Sequence, residues 1–351
     1  VIPINCNNNV FNEIILALDA YCQYQSLTTG KIVANPFVAD PNGVAMIPYY
    51  DLEAIRKSPD KTIFIEMPTE GFHVSFNFYN YPRDKKYVFV SNGTWNQSKF
   101  DFGIEYKILH YSYFLYDYTK RATAHNLIDY FQDKDYIFSL DKPMTFCAFV
   151  GTANDRNWRT DLVRIIQDTV TFDNYILNFD GQELGQPSRE LDIKINFDNF
   201  NPWIPIKQFY TISTSIPINI YNASRILLVS ETMAYDHDEF HLTEKTIKAL
   251  LTGIPFVVFG SYHYVKNLKT LGFKTYSDLW PEDYDDIADM HERMQAVADI
   301  LNHINSMPWT QNELDKCQQI AYHNKAMLLN VNSIMKQELE EIIKIFGNYQ
   351  L

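Results

Sequence analysis

The chain has 351 residues, enough for two domains, and its net charge of −13 (30 Lys and Arg against 43 Asp and Glu) argues against a broad nucleic-acid surface, which needs clustered cations. Hydrophobic residues make up 46% and charged residues 21%, an ordinary globular balance, and no run of about eighteen apolar residues is present to span a membrane. Cys6, Cys22, Cys147 and Cys317 lie far apart with no C-x-x-C pair, which predicts buried free thiols, a reducing compartment and hence a cytoplasmic location.

In chain order, apolar residues recur at helical spacing from Phe11 to Cys22, and a loop carrying Pro36, Pro41 and Gly43 follows. A short helix is predicted at Leu52–Ile55 and strands at Thr62–Ile65, Val74–Tyr79 and Tyr87–Val90, with a mixed Tyr-rich segment over Glu105–Tyr118. This alternation predicts an α/β domain over residues 1–140. The strand at Thr62–Ile65 runs into Glu66-Met67-Pro68-Thr69-Glu70-Gly71, placing two carboxylates where α/β folds carry catalytic loops. Glu70 or Glu66 could accept a proton from a hydroxyl; the plainer reading is two solvated acids. The aromatics between Phe72 and Tyr118 read as core, except Trp95, whose polar turn would expose it.

Asp133–Pro143 is polar and reads as the linker to a second domain over residues 141–330. There the strand Met144–Val150 leads through Gly151 to a basic helix start, with Arg159 the first candidate to meet a phosphate and Arg156 the second. Gln182–Phe200 reads as a long polar loop. Then come a strand at Ile226–Val229, an acidic loop, a helix carrying Ile247, Leu250 and Leu251, a stop at Gly253 and Pro255, and a strand at Phe256–Phe259. In such a strand–loop–helix–strand unit the helix start lies at the carboxyl edge of the sheet, where ligands bind. That start is Thr243-Glu244-Lys245, and a lysine there opposes the macrodipole by about 0.3–1 kcal/mol. The placement makes sense if an anion such as a diphosphate docks on the free N–H groups. The alternative pairs Glu244 with Lys248 and leaves Lys245 in water. Further on, a strand is predicted at Leu271–Tyr276 and helices at Asp285–Ile304, Gln311–Leu329 and Ser333–Phe346, the last over residues 331–351 crossing back to the first domain.

Glu231 after a strand, an acidic loop, His241-Leu242-Thr243-Glu244-Lys245, a helix with Ala249-Leu250 and Gly253, and an apolar strand ending in Gly260 together resemble the donor-binding motif of α-1,3-fucosyltransferases. The likeness is close over residues 223–260 and loose over the rest of the second half. His241 stands where that family has tyrosine, and Val229-Ser230-Glu231-Thr232 where it has F-x-F-E-N-S. The resemblance implies a GT-B fold: two Rossmann-like α/β domains facing a cleft, with C-terminal helices. It implies an inverting, metal-independent glycosyltransferase with no cofactor. The donor would be a nucleotide sugar such as GDP-fucose, held by Lys245, Glu244, Thr243, Arg159, Arg156, Glu231 and His241. The acceptor would be a glycan or another hydroxyl, deprotonated by Glu70 or Glu66. Two alternatives stay open: a metal-dependent transferase using Asp236-His237-Asp238 as a D-x-D, and a nucleotide- or glycan-binding module without chemistry.

Overall fold

Short runs of branched and aromatic residues make the strands, and those among the described residues collect into two sheets. The computed structural model describes residues 3–6, 33–34, 44–48, 52–57, 62–66, 80–91, 103–110, 135–151, 156–179, 182–184, 216–234, 236 and 239–329. The chain divides into one unit of Val1–Tyr113 with Asn332–Leu351 and a second of Phe114–Val331.

In the first unit the strands are β1 (Pro3–Cys6), β2 (Val33–Ala34), β3 (Val44–Pro48), β4 (Thr62–Glu66), β5 (Lys86–Ser91) and β6 (Glu105–His110). Their order is β2-β1-β3-β4-β5-β6, with every pairing parallel. Helix α1 (Leu52–Lys57) lies in the crossover from β3 to β4. Of the aromatics expected in the core, Tyr81, Tyr87 and Phe89 are buried and Tyr106 half-buried, while Phe76, Phe78, Tyr79, Phe102, Tyr111 and Tyr113 lie outside the described residues. Tyr81 and Tyr87 meet edge to face at 5.2 Å, and the Tyr87 hydroxyl donates to the Pro82 carbonyl at 2.7 Å. The predicted helix at Phe11–Cys22, the strand at Val74–Tyr79 and Trp95 lie outside the described residues.

The second sheet contains β7 (Met144–Gly151), β8 (Tyr175–Phe179), β9 (Gln182–Leu184), β10 (Ser224–Ser230) and β11 (Phe256–Phe259), in the order β11-β10-β7-β8-β9. Only the β8–β9 edge pairing is antiparallel in this sheet. Helix α2 (Trp158–Thr169) links β7 to β8, α3 (Ile218–Ala223) enters β10, and α4 (Glu244–Thr252) links β10 to β11. After β11 come α5 (Tyr264–Thr270), α6 (Met290–Ser306) and α7 (Gln311–Leu329). Strands β7 and β10 are buried along almost their whole length, as parallel strands covered on both faces should be. The chain winds from β7 toward β8 and from β10 toward β11. Right-handed crossovers in opposite directions put α2 and α4 on opposite faces, where α2 packs on α6 and α4 on α7. Adjacent strands β7 and β10 thus send their loops opposite ways, which is the switch point where open sheets bind ligands.

Three expectations change. The segment read as a linker is packed onto the second unit: Tyr136 N–H donates to the Thr252 carbonyl at 2.8 Å, and the buried Lys142 ammonium donates to the Ile137 and Asn222 carbonyls at 2.5 and 2.6 Å. The Lys142 ammonium thus serves backbone carbonyls rather than water, while Asp135 and Asp141 stay exposed. No strand forms at Leu271–Tyr276, because Gly272 (φ 92°) turns the chain out of α5 and the Asn324 amide takes both the N–H and the carbonyl of Lys274, at 2.8 and 2.9 Å. The helix expected from Asp285 starts at Met290, where Asp289 caps it by accepting from Glu292 N–H at 2.9 Å. The Asp285 carboxylate instead accepts the N–H groups of Val265 and Lys266 at the start of α5. The predicted loop at Gln182–Phe200 begins as β9 and then leaves the described residues, as does the helix at Ser333–Phe346. Cys147 and Cys317 are buried free thiols, and burial pushes each up to about 12. Among the described residues no helix is long and apolar enough to cross a membrane.

Candidate functional site

The carboxyl ends of the central strands lie at one level, with Leu228 opposite Ala148 and Ser230 opposite Phe259. Glu231 follows β10 directly and is wholly buried. Its Oε2 accepts from Thr243 Oγ1 at 2.5 Å and from Thr232 N–H at 3.1 Å. Its Oε1 accepts from Thr246 Oγ1 at 2.5 Å and from the Tyr264 hydroxyl at 2.8 Å. One carboxylate therefore fastens a strand end to the first turns of α4 and α5.

Thr243 is the N-cap of α4, extended in backbone (φ −115°, ψ 178°), and its Oγ1 accepts from Lys245 N–H at 3.4 Å. Lys245 does not stand in water. Its ammonium donates to Thr232 Oγ1 at 2.8 Å and to Glu244 Oε1 at 2.7 Å, leaving the side chain 24% exposed. Burial raises the Glu244 pKa, but Lys245 and Lys248 together with the Lys245 hydrogen bond outweigh it and hold the carboxyl below its ordinary value. Burial lowers the Lys248 ammonium to about 8, with Glu244 pulling it back up and Lys245 opposing. Glu244 thus sits between two ammonium groups at a helix tip whose first turn is also held by the Glu231 carboxylate, and an arriving anion would compete with Glu244 for Lys245.

Arg159 stands in the first turn of α2 and is buried. Its guanidinium lies against Gly151, the last residue of β7, where an added Cβ would fall 3.0 Å from Nη1. With φ at 80°, Gly151 also turns in a way that suits glycine alone. Trp158 leans on Phe259 at 5.5 Å between ring centroids, and the Arg159 guanidinium lies 5.4 Å from the Trp158 ring. Arg156 is half-buried just before α2, and His241 is buried just before the α4 cap.

No family model matches this chain, and no curated protein matches it.

The structure therefore brings Glu231, Thr243, Glu244 and Lys245 together at the tip of α4, with His241 just upstream, and sets Arg159 and Arg156 at the start of α2. Glu66 ends β4 in the other unit, and Glu70 lies outside the described residues. Asp236 is exposed, while His237 and Asp238 lie outside the described residues. Among the described residues no group of three or more His, Cys, Asp or Glu is placed to hold a metal. Sequence reasoning missed Thr232, Thr246, Tyr264 and Arg293. Thr246 had a signal, since it follows Thr243 by three and so shares its helix face. Arg293 had none: it reaches from α6 to the end of β11, donating through Nε to the Gly260 carbonyl at 3.2 Å and through Nη1 to those of Ile287 and Ala288 at 2.6 and 2.9 Å.

Proposed function

We propose that the chain is an inverting, metal-independent glycosyltransferase of GT-B type that binds a nucleotide sugar at the carboxyl edge of the second sheet. The observation that carries the reading is that both helices leaving the switch point begin with a partly or fully buried cation, Lys245 on α4 and Arg159 on α2. A cation at the positive end of a helix dipole suits a diphosphate. In this reading Lys245 exchanges Glu244 for the diphosphate, and Lys248 keeps Glu244 compensated.

The chemistry follows from those charges. An acceptor oxygen attacks the anomeric carbon, the bond from that carbon to the diphosphate oxygen breaks, and the acceptor proton passes to a carboxylate, for which Glu66 and Glu70 are the candidates the resemblance suggests. Lys245 and Arg159 stabilise the charge that grows on the leaving diphosphate, a task a metal performs in other enzymes. Glu244 accepts from ribose hydroxyls. GDP-fucose is the donor suggested by the likeness to fucosyltransferases, with a glycan or another hydroxyl as acceptor. Buried free Cys147 and Cys317 suit a reducing, cytoplasmic setting.

A thermal-shift screen with GDP, UDP, CMP, dTDP and their sugars, run with and without EDTA, tests this. One nucleotide should raise the Tm equally in both conditions, and its sugar should be turned over in EDTA. No shift with any nucleotide sinks the reading, and activity lost to EDTA sinks its metal-independent part.

A further inference from the structure

We propose that Glu231 is a positioning residue for the donor diphosphate: it locks the first turn of α4 through Thr243, Thr246 and Tyr264 without touching the ligand. The inference rests on the nucleotide-sugar reading above and adds how its anion site is held.

The argument is one of donors and acceptors. A carboxylate offers about four lone-pair sites, and a hydroxyl has one proton to give. Glu231 accepts from the Thr232 N–H and from the hydroxyls of Thr243, Thr246 and Tyr264, so both oxygens are occupied twice and the group is wholly buried. A ligand has no access to it. Because Thr243 spends its proton inward on Glu231, its oxygen can only accept from the Lys245 N–H, and this makes it the cap. Thr246 and Tyr264 share Oε1 and lie 3.0 Å apart, and Thr243 sits on Oε2, so it is the carboxylate that joins the three hydroxyls. Hydrogen bonds to an ionised group are about twice as strong as neutral ones, and this set is shielded from water. The helix tip that carries Lys245 is thereby fixed before any ligand arrives, so it needs no reordering on binding.

Thr246 is the place to test it. Thr246→Val removes the hydroxyl at nearly constant volume, and Thr246→Ser keeps it. The full-length chain is titrated calorimetrically with GDP, UDP and dTDP in EDTA, and hydrogen exchange is followed over residues 244–247. The valine variant should bind the preferred nucleotide about tenfold more weakly or worse and exchange faster, as losing a bond to a charged group would cause. The serine variant should restore both. Wild-type affinity in Thr246→Val overturns the proposal, whatever exchange shows. If the wild type binds none of the three nucleotides, its diphosphate site fails and exchange alone decides on the lock. Faster exchange in the valine variant, restored in the serine one, then supports it; unchanged exchange overturns it. Should Thr246→Val not fold, Tyr264→Phe removes another donor from the same oxygen and takes its place with the same expectations.

Discussion

The ring of Tyr264 occupies the space a side chain on Gly260 would need: a Cβ there would lie 2.6 Å from Cδ2 and 2.8 Å from Cγ. Tyr264 is not free to yield, since it is buried, its hydroxyl is bound to Glu231 and its ring packs at 5.0 Å on Phe240. Gly260→Ala should therefore cost about 1–3 kcal/mol, the usual penalty of overpacking. Urea unfolding measures it, and a midpoint equal to the wild type would show that the loop after β11 relaxes instead.

Lys245 should act on the phosphates and not on the base. Lys245→Ala is expected to lower turnover by about 100-fold and to weaken the nucleoside diphosphate, since a stabiliser of the leaving charge has gone. The free nucleoside should bind as it does to the wild type. Equal losses for nucleoside and diphosphate would place the lysine away from the phosphates, and unchanged turnover would remove it from the chemistry.

The central strands of the second unit were legible because burial on both faces leaves them as apolar runs: Met144–Val150, Ile226–Val229 and Phe256–Phe259 all lie within strands. Helix α7 starts at Gln311 as expected and runs through Leu329, the last described residue. Strand β8, only Tyr175–Phe179, was missed although Asp173-Asn174 and Asp180-Gly181 flank it as turn signals, because Gln182 onward was read as loop rather than as its hairpin partner. Leu271–Tyr276 misled as a short segment of apolar and aromatic residues. Phe273 and Tyr276 are buried there, but their backbone is held by Asn324, 50 residues on from Lys274, and by Glu282. The candidate site divides the same way. Thr243 as a cap and Lys245 as an out-of-place cation were visible locally. The work of Glu231 was not, because Thr246 and Tyr264 reach it from 15 and 33 residues further along the chain.

Lys248 predicts a pH dependence of stability. Its ammonium falls from 10.5 to about 8 on folding, chiefly through burial. Between those values the unfolded chain binds more proton than the folded one, so stability rises with pH. The penalty of the buried charge is full below pH 8 and gone above pH 10.5. Lys248→Met removes this dependence, so relative to that variant the wild type should gain at least about 1 kcal/mol over the window, each pKa unit being worth about 1.4. Chemical denaturation at several alkaline pH values measures the difference, and parallel curves would mean that Glu244 holds the ammonium near its ordinary value.

Tyr136 offers a change that should alter stability and leave binding alone. Its buried hydroxyl donates to the carbonyls of Ser224 and Arg225, at 2.9 and 3.1 Å, and the Lys142 ammonium sits 4.1 Å from its ring centroid. Burial pushes this phenol far above its ordinary pKa, so it remains a donor at any pH the fold survives. Tyr136→Phe leaves those carbonyls without the hydroxyl's proton at the start of β10 and should cost about 1–3 kcal/mol. The damage falls at Ser224, the first residue of the strand, whereas Glu231 follows Ser230, the last. At about 3.3 Å per residue the two ends are roughly 20 Å apart. The Tm should therefore fall while nucleotide affinity, measured well below that Tm, stays at the wild-type value. A matched loss of affinity would mean that β10 transmits strain along its length, and that the site at its far end is less rigid than the bonds to Glu231 imply.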